Sequence, residues 1–272
     1  MPDFEKLYYE YEVHWEGGAL LDKANQDRIR FTAGMIPEDT KSLLDAGCGN
    51  GIFVNYLKEY RPELKILAVD RSSTALKYVL TEKMEGDVSH IPVADRTYDC
   101  VTCLEVIEHL PVNVYKEALK ELSRISGRYL IISVPYNEIL EENHNQCPSC
   151  GTIFNYDLHL RTFNDDKMLH LLDQHGFSCI KKHHLGESEH FRGHYSFRKA
   201  FYKEQFRQWK SPICPLCGYH EQADSSTPVQ HSAPPVTEPP TRKWISYFSG
   251  LIKGFWPKEK KYYWVIALYK RN

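Results

Sequence analysis

The chain has 272 residues, 42% of them hydrophobic, with 34 basic and 36 acidic side chains and a formal net charge of -2. That length and apolar content suit one globular domain of parallel-sheet type carrying an insertion, with room for a sizeable core. The near-neutral charge excludes a general attraction to nucleic acid, while the acidic start Met1-Pro2-Asp3-Phe4-Glu5 and the lack of a membrane-length apolar stretch predict a cytoplasmic protein.

A helical segment runs to Met35, and Tyr8, Tyr9, Tyr11 and Trp15 within it form an aromatic group that packs on the domain or caps a site. The first strand is predicted at 42–46, where Ser42-Leu43-Leu44 feeds Asp45-Ala46-Gly47-Cys48-Gly49-Asn50-Gly51. Glycines at alternate positions let the backbone bend sharply and approach a ligand with no Cβ in the way. Ile52 to Tyr60 then has helical spacing, so the turn sits at a helix N-terminus and points to a nucleotide-like cofactor. A second strand, 65–70, ends in Asp70, about 20 residues past the turn, where a doubly wound fold presents a carboxylate to ribose hydroxyls. Further strands are predicted at 83–86, 98–104 and 129–134 with helical patterns between them, which is βα alternation. Two more β-like runs lie at 178–185 and 262–269.

Three features together resemble the class I S-adenosylmethionine-dependent methyltransferases: Leu44-Asp45-Ala46-Gly47-Cys48-Gly49-Asn50-Gly51, Gly86-Asp87-Val88, and the strand Tyr98 to Leu104 running into Glu105-Val106-Ile107-Glu108-His109. The resemblance covers roughly residues 40 to 185 plus the last strand, and it extends to the small-molecule group that includes the ubiquinone-biosynthesis O-methyltransferases. It implies an α/β fold, a Rossmann-like seven-stranded sheet with helices on both faces and an antiparallel last strand. It also implies S-adenosylmethionine as cofactor. Asp45, Gly47, Gly49 and Gly51 would wrap its methionine part, Asp70 its ribose and Arg71 the adenine edge. Asp87 and the backbone of Val88 would meet the adenine, and Leu104 with Glu105 would border the methionine and the acceptor. The acceptor implied is a small molecule, methylated on an oxygen of a sugar, phenolic or lipid-linked metabolite. Each acid has a plainer alternative as a solvated strand end or a helix cap.

Two matching knuckles, Cys147-Pro148-Ser149-Cys150-Gly151 and Cys214-Pro215-Leu216-Cys217-Gly218, turn four sulfurs toward one point and suit tetrahedral zinc, with disulfides or redox pairs as rivals. Cys147, Cys150, Cys214 and Cys217 would fill the coordination sphere, which predicts a structural rather than a catalytic ion. The first knuckle follows strand five and the second strand six. Both therefore leave the carboxyl edge of the sheet, and segments 141–158 and 186–224 are expected to form a lid over the pocket. Cys48, Cys100, Cys103 and Cys179 read as small core residues.

His109, beyond the strand-four acid Glu105, is the leading candidate base, since an imidazole titrates near neutrality. His159, in His159-Leu160-Arg161-Thr162-Phe163, resembles a segment following strand five in related enzymes, and for both a loop-ordering role is the alternative. Glu105, Glu108 and His109 also resemble the metal-binding Glu-x-x-Glu-His of small-RNA 2′-O-methyltransferases, a set that His159 or His144 would complete. Against RNA stand the near-neutral charge and the absence of a basic stripe. A third reading is a non-catalytic scaffold that binds cofactor and holds a protein through its zinc module.

The expected organisation is a helical cap at 1–40, a methyltransferase domain at 41–185 plus 258–272, the two lid segments, a Pro-rich flexible linker at 225–243 and an amphipathic aromatic helix at 244–257. That helix, flanked by lysines, either lies on a membrane surface or packs on its own domain or on a twin subunit in a homodimer.

Overall fold

A computed structural model of the protein describes residues 8–10, 12–15, 22–191, 213–219 and 258–272. Tyr11, the linker 225–243, the helix expected at 244–257 and most of the second lid segment lie outside the described residues. The chain divides into two compact units, one of residues 1–187, 206–220 and 262–272, the other of 188–205 and 221–261.

The first unit is built on a seven-stranded sheet. Its strands are β1 (Ser42–Ala46), β2 (Lys65–Asp70), β3 (Glu82–Glu85), β4 (Tyr98–Leu104), β5 (Ser126–Pro135), β8 (Phe177–Leu185) and β11 (Trp264–Arg271). Their order is β3-β2-β1-β4-β5-β11-β8, with β1 to β5 parallel and β11 antiparallel to both its neighbours. This is the α/β, Rossmann-like sheet expected from the sequence. Burial explains why the central strands are mostly apolar: successive side chains point to opposite faces, and on β1, β2, β4, β5 and β11 both faces are covered, whereas the edge strands β3 and β8 carry exposed polar residues. Leu44, Leu67, Val101, Ile132 and Ala267 pack on one side against α5 (Val112–Ile125) through Ala118, Leu119 and Leu122. Leu43, Ile66, Cys100, Ile131 and Ile266 pack on the other against α2 (Lys23–Met35) and α3 (Ile52–Tyr60), through Ile29, Ala33, Phe53, Val54 and Leu57. Cys48, Cys100 and Cys103 are buried and Cys179 is partly so, as core residues should be.

Shorter elements surround the carboxyl edge. A helical turn, α1 (Glu12–Trp15), precedes α2, and a second turn, α4 (Ser73–Leu76), follows β2 with Ser72 as its cap. After β5 come a 3-10 turn (Leu140–Asn143) and the antiparallel pair β6 (His144–Gln146) and β7 (Ile153–Asn155), which holds the first knuckle between its strands. Helix α6 (Asp165–His170) then leads back to β8. In the second unit the described residues form one antiparallel pair, β9 (Ser188–Phe191) with β10 (Lys258–Lys261). Among the described residues no helix is long and apolar enough to cross a membrane.

Candidate active site and cysteine cluster

The carboxyl ends of β1, β2, β4 and β5 open into a cavity of about 580 Å3, lined there by Asp45, Asp70, Leu104 and Pro135. Such a volume is within the usual range for a bound small molecule. Gly47, Gly49, Arg71, Asp87, Val88, Glu105, His109 and His159 share its wall, so with Asp45, Asp70 and Leu104 the structure gathers eleven of the twelve expected cofactor and catalytic residues around one space. Gly51 is set back from it. There it precedes α3 in the left-handed conformation (φ 78°), and a Cβ would come within 2.8 Å of Val79 Cγ2. Gly47 (φ 79°) and Gly49 (φ 54°) are left-handed as well, and a Cβ on Gly47 would lie 2.4 Å from Val106 Cγ2. The loop is therefore glycine-rich for two physical reasons, dihedral sign and close packing.

Two buried carboxylates back this loop. Asp70 accepts from Gly49 N at 2.7 Å and Ser72 N at 2.8 Å, while burial raises its pKa above the ordinary range. Asp45 is 2% exposed and accepts from Thr102 Oγ1 at 2.6 Å. Burial outweighs that hydrogen bond and, with the nearby Asp70, lifts its pKa to about 7. A pair of buried acids on a cavity wall favours a cationic ligand, and S-adenosylmethionine, with a sulfonium and an ammonium, fits that demand. Asp87 lies at the rim, where its Oδ1 accepts from Ser89 N at 2.8 Å.

The N-terminal aromatic segment covers this end of the cavity. Glu10 accepts from the backbone N–H groups of Ser73 (3.0 Å) and Thr74 (3.1 Å), and Ser72 Oγ donates to the carbonyl of Tyr9 at 2.7 Å. Trp15 lies against Gly49, and Tyr8, Tyr9 and Trp15 all line the cavity.

Another part of the wall is acidic and imidazole-rich. Glu105 occupies the left-handed region (φ 56°), accepts from Ser133 Oγ and lies 3.6 Å from Arg28 Nη1. Glu108 is fully buried, and neither carboxylate oxygen has a hydrogen-bond partner among the described residues. Burial, with the Glu105 charge, holds its pKa well above the usual carboxylate range. His109 Nε2 lies 3.8 Å from Glu108 Oε1, and the His109 and His159 rings meet edge-on with centroids 4.7 Å apart. Arg161 makes this meeting possible. It stacks over Tyr115 and donates to the carbonyls of Ile107 and Leu110, tying the segment that carries His159 to the loop that carries His109. Ligand atoms of Glu108, His109 and His159 lie within 4.8 Å of one another, as do those of Glu138, Asp157 and His159. His144 heads β6 and does not line the cavity. Sequence reasoning missed Glu138, Asp157, Asn143, Arg28 and Tyr263, none of which stands in a recognisable motif.

The four knuckle cysteines converge. Sγ of Cys147 and Cys217 are 3.7 Å apart and Sγ of Cys150 and Cys214 are 3.8 Å apart, with all four within 4.8 Å. Tetrahedral zinc with Zn–S bonds of about 2.3 Å requires sulfur separations of about 3.8 Å. The knuckles also share one backbone pattern. Gly151 N donates to Cys147 O and Gly218 N to Cys214 O, and both glycines have φ 72°. Hydrogen bonding to Thr152 lowers the Cys150 thiol to about 6, toward the thiolate that binds metal. Around the cluster, Ile213, Tyr8 and Leu158 form a small apolar core with Tyr9 and Phe154.

Residues 19–182, more than half of the chain, match the family described as a methyltransferase domain. An uncharacterised protein of Methanocaldococcus jannaschii is 35% identical over 148 residues, which cover 52% of this chain and 58% of that protein. The mitochondrial ubiquinone biosynthesis O-methyltransferase of Schizosaccharomyces pombe is 34% identical over 140 residues, 44% of this chain and 49% of that one. The chain thus spans about half the length of the curated relatives it matches. Among solved structures, an S-adenosylmethionine-dependent methyltransferase of Thermotoga maritima shares the fold with a TM-score of 0.55 at 14% identity, over 98% of both chains. One from Archaeoglobus fulgidus gives 0.51 at 16% identity, over 97% of this chain and 99% of that one. With the sheet order, the glycine loop and the family match in agreement, the chain belongs to the S-adenosylmethionine-dependent methyltransferase domain family.

Proposed function

We propose that the protein transfers a methyl group from S-adenosylmethionine to a hydroxyl of a small molecule, a sugar, phenolic or lipid-linked metabolite. The observation carrying this is the lining of one cavity, which brings a glycine loop with two buried acids together with His109, His159 and Glu105. When bound, S-adenosylmethionine supplies an electrophilic methyl group on a sulfonium. Asp45 and Asp70 hold the cofactor's cationic and ribose parts, and the glycine loop admits its backbone-close approach. At the acceptor end an imidazole takes the hydroxyl proton, while the cavity walls fix the hydroxyl in line for transfer. Cys147, Cys150, Cys214 and Cys217 would hold one structural zinc, which would tie the two knuckles together beside the small core of Ile213, Tyr8 and Leu158.

Incubation with S-adenosylmethionine and a panel of phenols, sugars and amines, read by mass spectrometry, tests the proposal. Methylated phenols or sugars support it; methylation confined to amines sinks the oxygen assignment, and failure to bind cofactor in calorimetry sinks the whole reading.

One observation favours a second reading, methylation of RNA 2′-hydroxyls assisted by a divalent cation. The buried carboxylate of Glu108, without a hydrogen bond and beside His109 and His159, offers a donor set of the kind such an ion takes. Methylation of RNA ends that chelator abolishes and manganese restores would establish it over the first.

A further inference from the structure

We infer that Glu138 is the positioning residue of the acceptor end: its carboxylate holds His159 in the Nδ1-protonated form and so leaves Nε2 as the ring's free lone pair. This rests on the acceptor-end reading above and adds to it a residue that no motif marks.

The backbone delivers Glu138 by constraint from two sides. Just past β5, Tyr136 N donates to the carbonyl of Tyr263 and Asn137 N to that of Phe163, both at 2.8 Å. Asn137 pays for this placement with a left-handed φ of 50°. Among the described residues four non-glycine side chains have positive φ, and three of them are Glu105 itself, Asn137 before Glu138, and Leu158 before His159. Backbone strain of this kind persists only where its surroundings over-determine it, and here it recurs at the three acceptor-end positions.

The side chains then form a directed chain of hydrogen bonds. Asn143, at the end of the 3-10 turn, donates through Nδ2 to Glu138 Oε1 and to Asp157 Oδ2, at 3.1 Å each. That brace occupies one oxygen of Glu138 and leaves Oε2 for His159 Nδ1, 2.5 Å away. Both partners are withdrawn from water, with side-chain exposures of 14% for Glu138 and 8% for His159. An ionised carboxylate only accepts, so the proton in this bond belongs to Nδ1, and a neutral ring must then carry its lone pair on Nε2. The same outer-sphere arrangement, a carboxylate on the far nitrogen, fixes tautomer and ring angle for proton abstraction and for metal ligation alike. The inference therefore holds under either reading of the acceptor.

Nitrogen-15 NMR of the full chain labelled at histidine, at pH 8, tests it, with the His159 signal identified by its loss in His159→Gln. The expected result is a wild-type ring protonated on Nδ1 alone. In Glu138→Ala the Nε2-protonated form should appear, and it should also appear in the isosteric Glu138→Gln, which keeps the volume if the smaller side chain impairs folding. Once an acceptor is known, kcat should fall by about tenfold or more in these variants with KM for S-adenosylmethionine unchanged, as for other outer-sphere partners. A wild-type ring protonated on Nε2, or an Nδ1 pattern that survives in both variants, overturns the assignment. Titration with S-adenosylhomocysteine separates the two layers. A protein that binds it but keeps its tautomer in both variants loses only the role of Glu138, whereas a wild type that does not bind it loses the cofactor reading.

Discussion

Replacing Asp45 with Asn should stabilise the protein at neutral pH, and the size of the gain should depend on pH in a defined way. Asp45 is 2% exposed, and burial raises its pKa from 3.8 to about 7. A carboxyl whose folded pKa is raised contributes stability that is fully present below its unfolded pKa and is lost as pH rises through the folded one. Between about pH 4 and 7 the unfolded chain releases this proton while the folded protein keeps it. Each pH unit in that window is worth about 1.4 kcal/mol, so the loss reaches about 4 kcal/mol above pH 7. Asn accepts the same Thr102 hydroxyl through its amide oxygen and carries no charge. The difference in unfolding free energy, variant minus wild type, should therefore climb by about 1.4 kcal/mol per unit from pH 4 to 7 and then level off. Urea denaturation followed by far-ultraviolet circular dichroism at pH 5, 6, 7 and 8 measures it, and taking the difference cancels the other titrating groups. A difference that is flat with pH would refute the claim that this buried acid resists ionisation. Saturating S-adenosylmethionine should shrink the gap, because a cation beside Asp45 favours its charged form.

Asp70→Asn removes the charge and replaces one of the two carboxylate oxygens that accept from Gly49 N and Ser72 N by an amide donor, and calorimetry should find S-adenosylmethionine bound about tenfold or more less tightly. Unchanged affinity would remove Asp70 from the cofactor site. Gly51→Ala forces a side chain into φ 78° and 2.8 Å from Val79 Cγ2, so unfolding in urea should show a loss of about 1–3 kcal/mol from the dihedral alone; wild-type stability would contradict the packing described. Cys147→Ser and Cys214→Ser should each lower zinc from about one ion per chain to nearly none and reduce the melting temperature. If one variant keeps its zinc while the other loses it, the knuckles do not share an ion.

The sheet was readable because of how parallel strands are buried. β1, β2 and β4 are covered on both faces, so each appears in sequence as a nearly unbroken apolar run, and the bounds expected at 42–46, 65–70 and 98–104 coincide with those observed. Strands with polar members shifted slightly: Glu82-Lys83-Met84-Glu85 forms β3 one position ahead of the expected 83–86, and β11 runs 264–271 rather than 262–269. The pairs β6–β7 and β9–β10 went unseen, since strands of three or four residues are too short to show a pattern and owe their shape to partners. The cofactor end was legible for a related reason. Left-handed dihedrals at Gly47 and Gly49 admit few residue types, so the backbone's needs are written in the sequence. The acceptor end was half legible. His109 and His159 stood out as titratable groups near a strand end, yet the brace from Asn143 through Glu138 is made of common residues brought together from separate loops.

The strand that comes last in the chain is sixth of seven across the sheet, seated between β5 and β8. Growth of the polypeptide and growth of the sheet therefore run out of step. A nascent chain that has not yet produced Trp264 carries two facing rows of unpaired backbone donors and acceptors where one strand is missing, a ready template for pairing with neighbouring molecules. Completion of the sheet must wait for residues 264–271 to clear the ribosome, and holdase chaperones have their natural target in that interval. A nonsense mutation at Trp264 itself would yield an aggregating product rather than a shortened protein, although every residue lining the cavity would already be present.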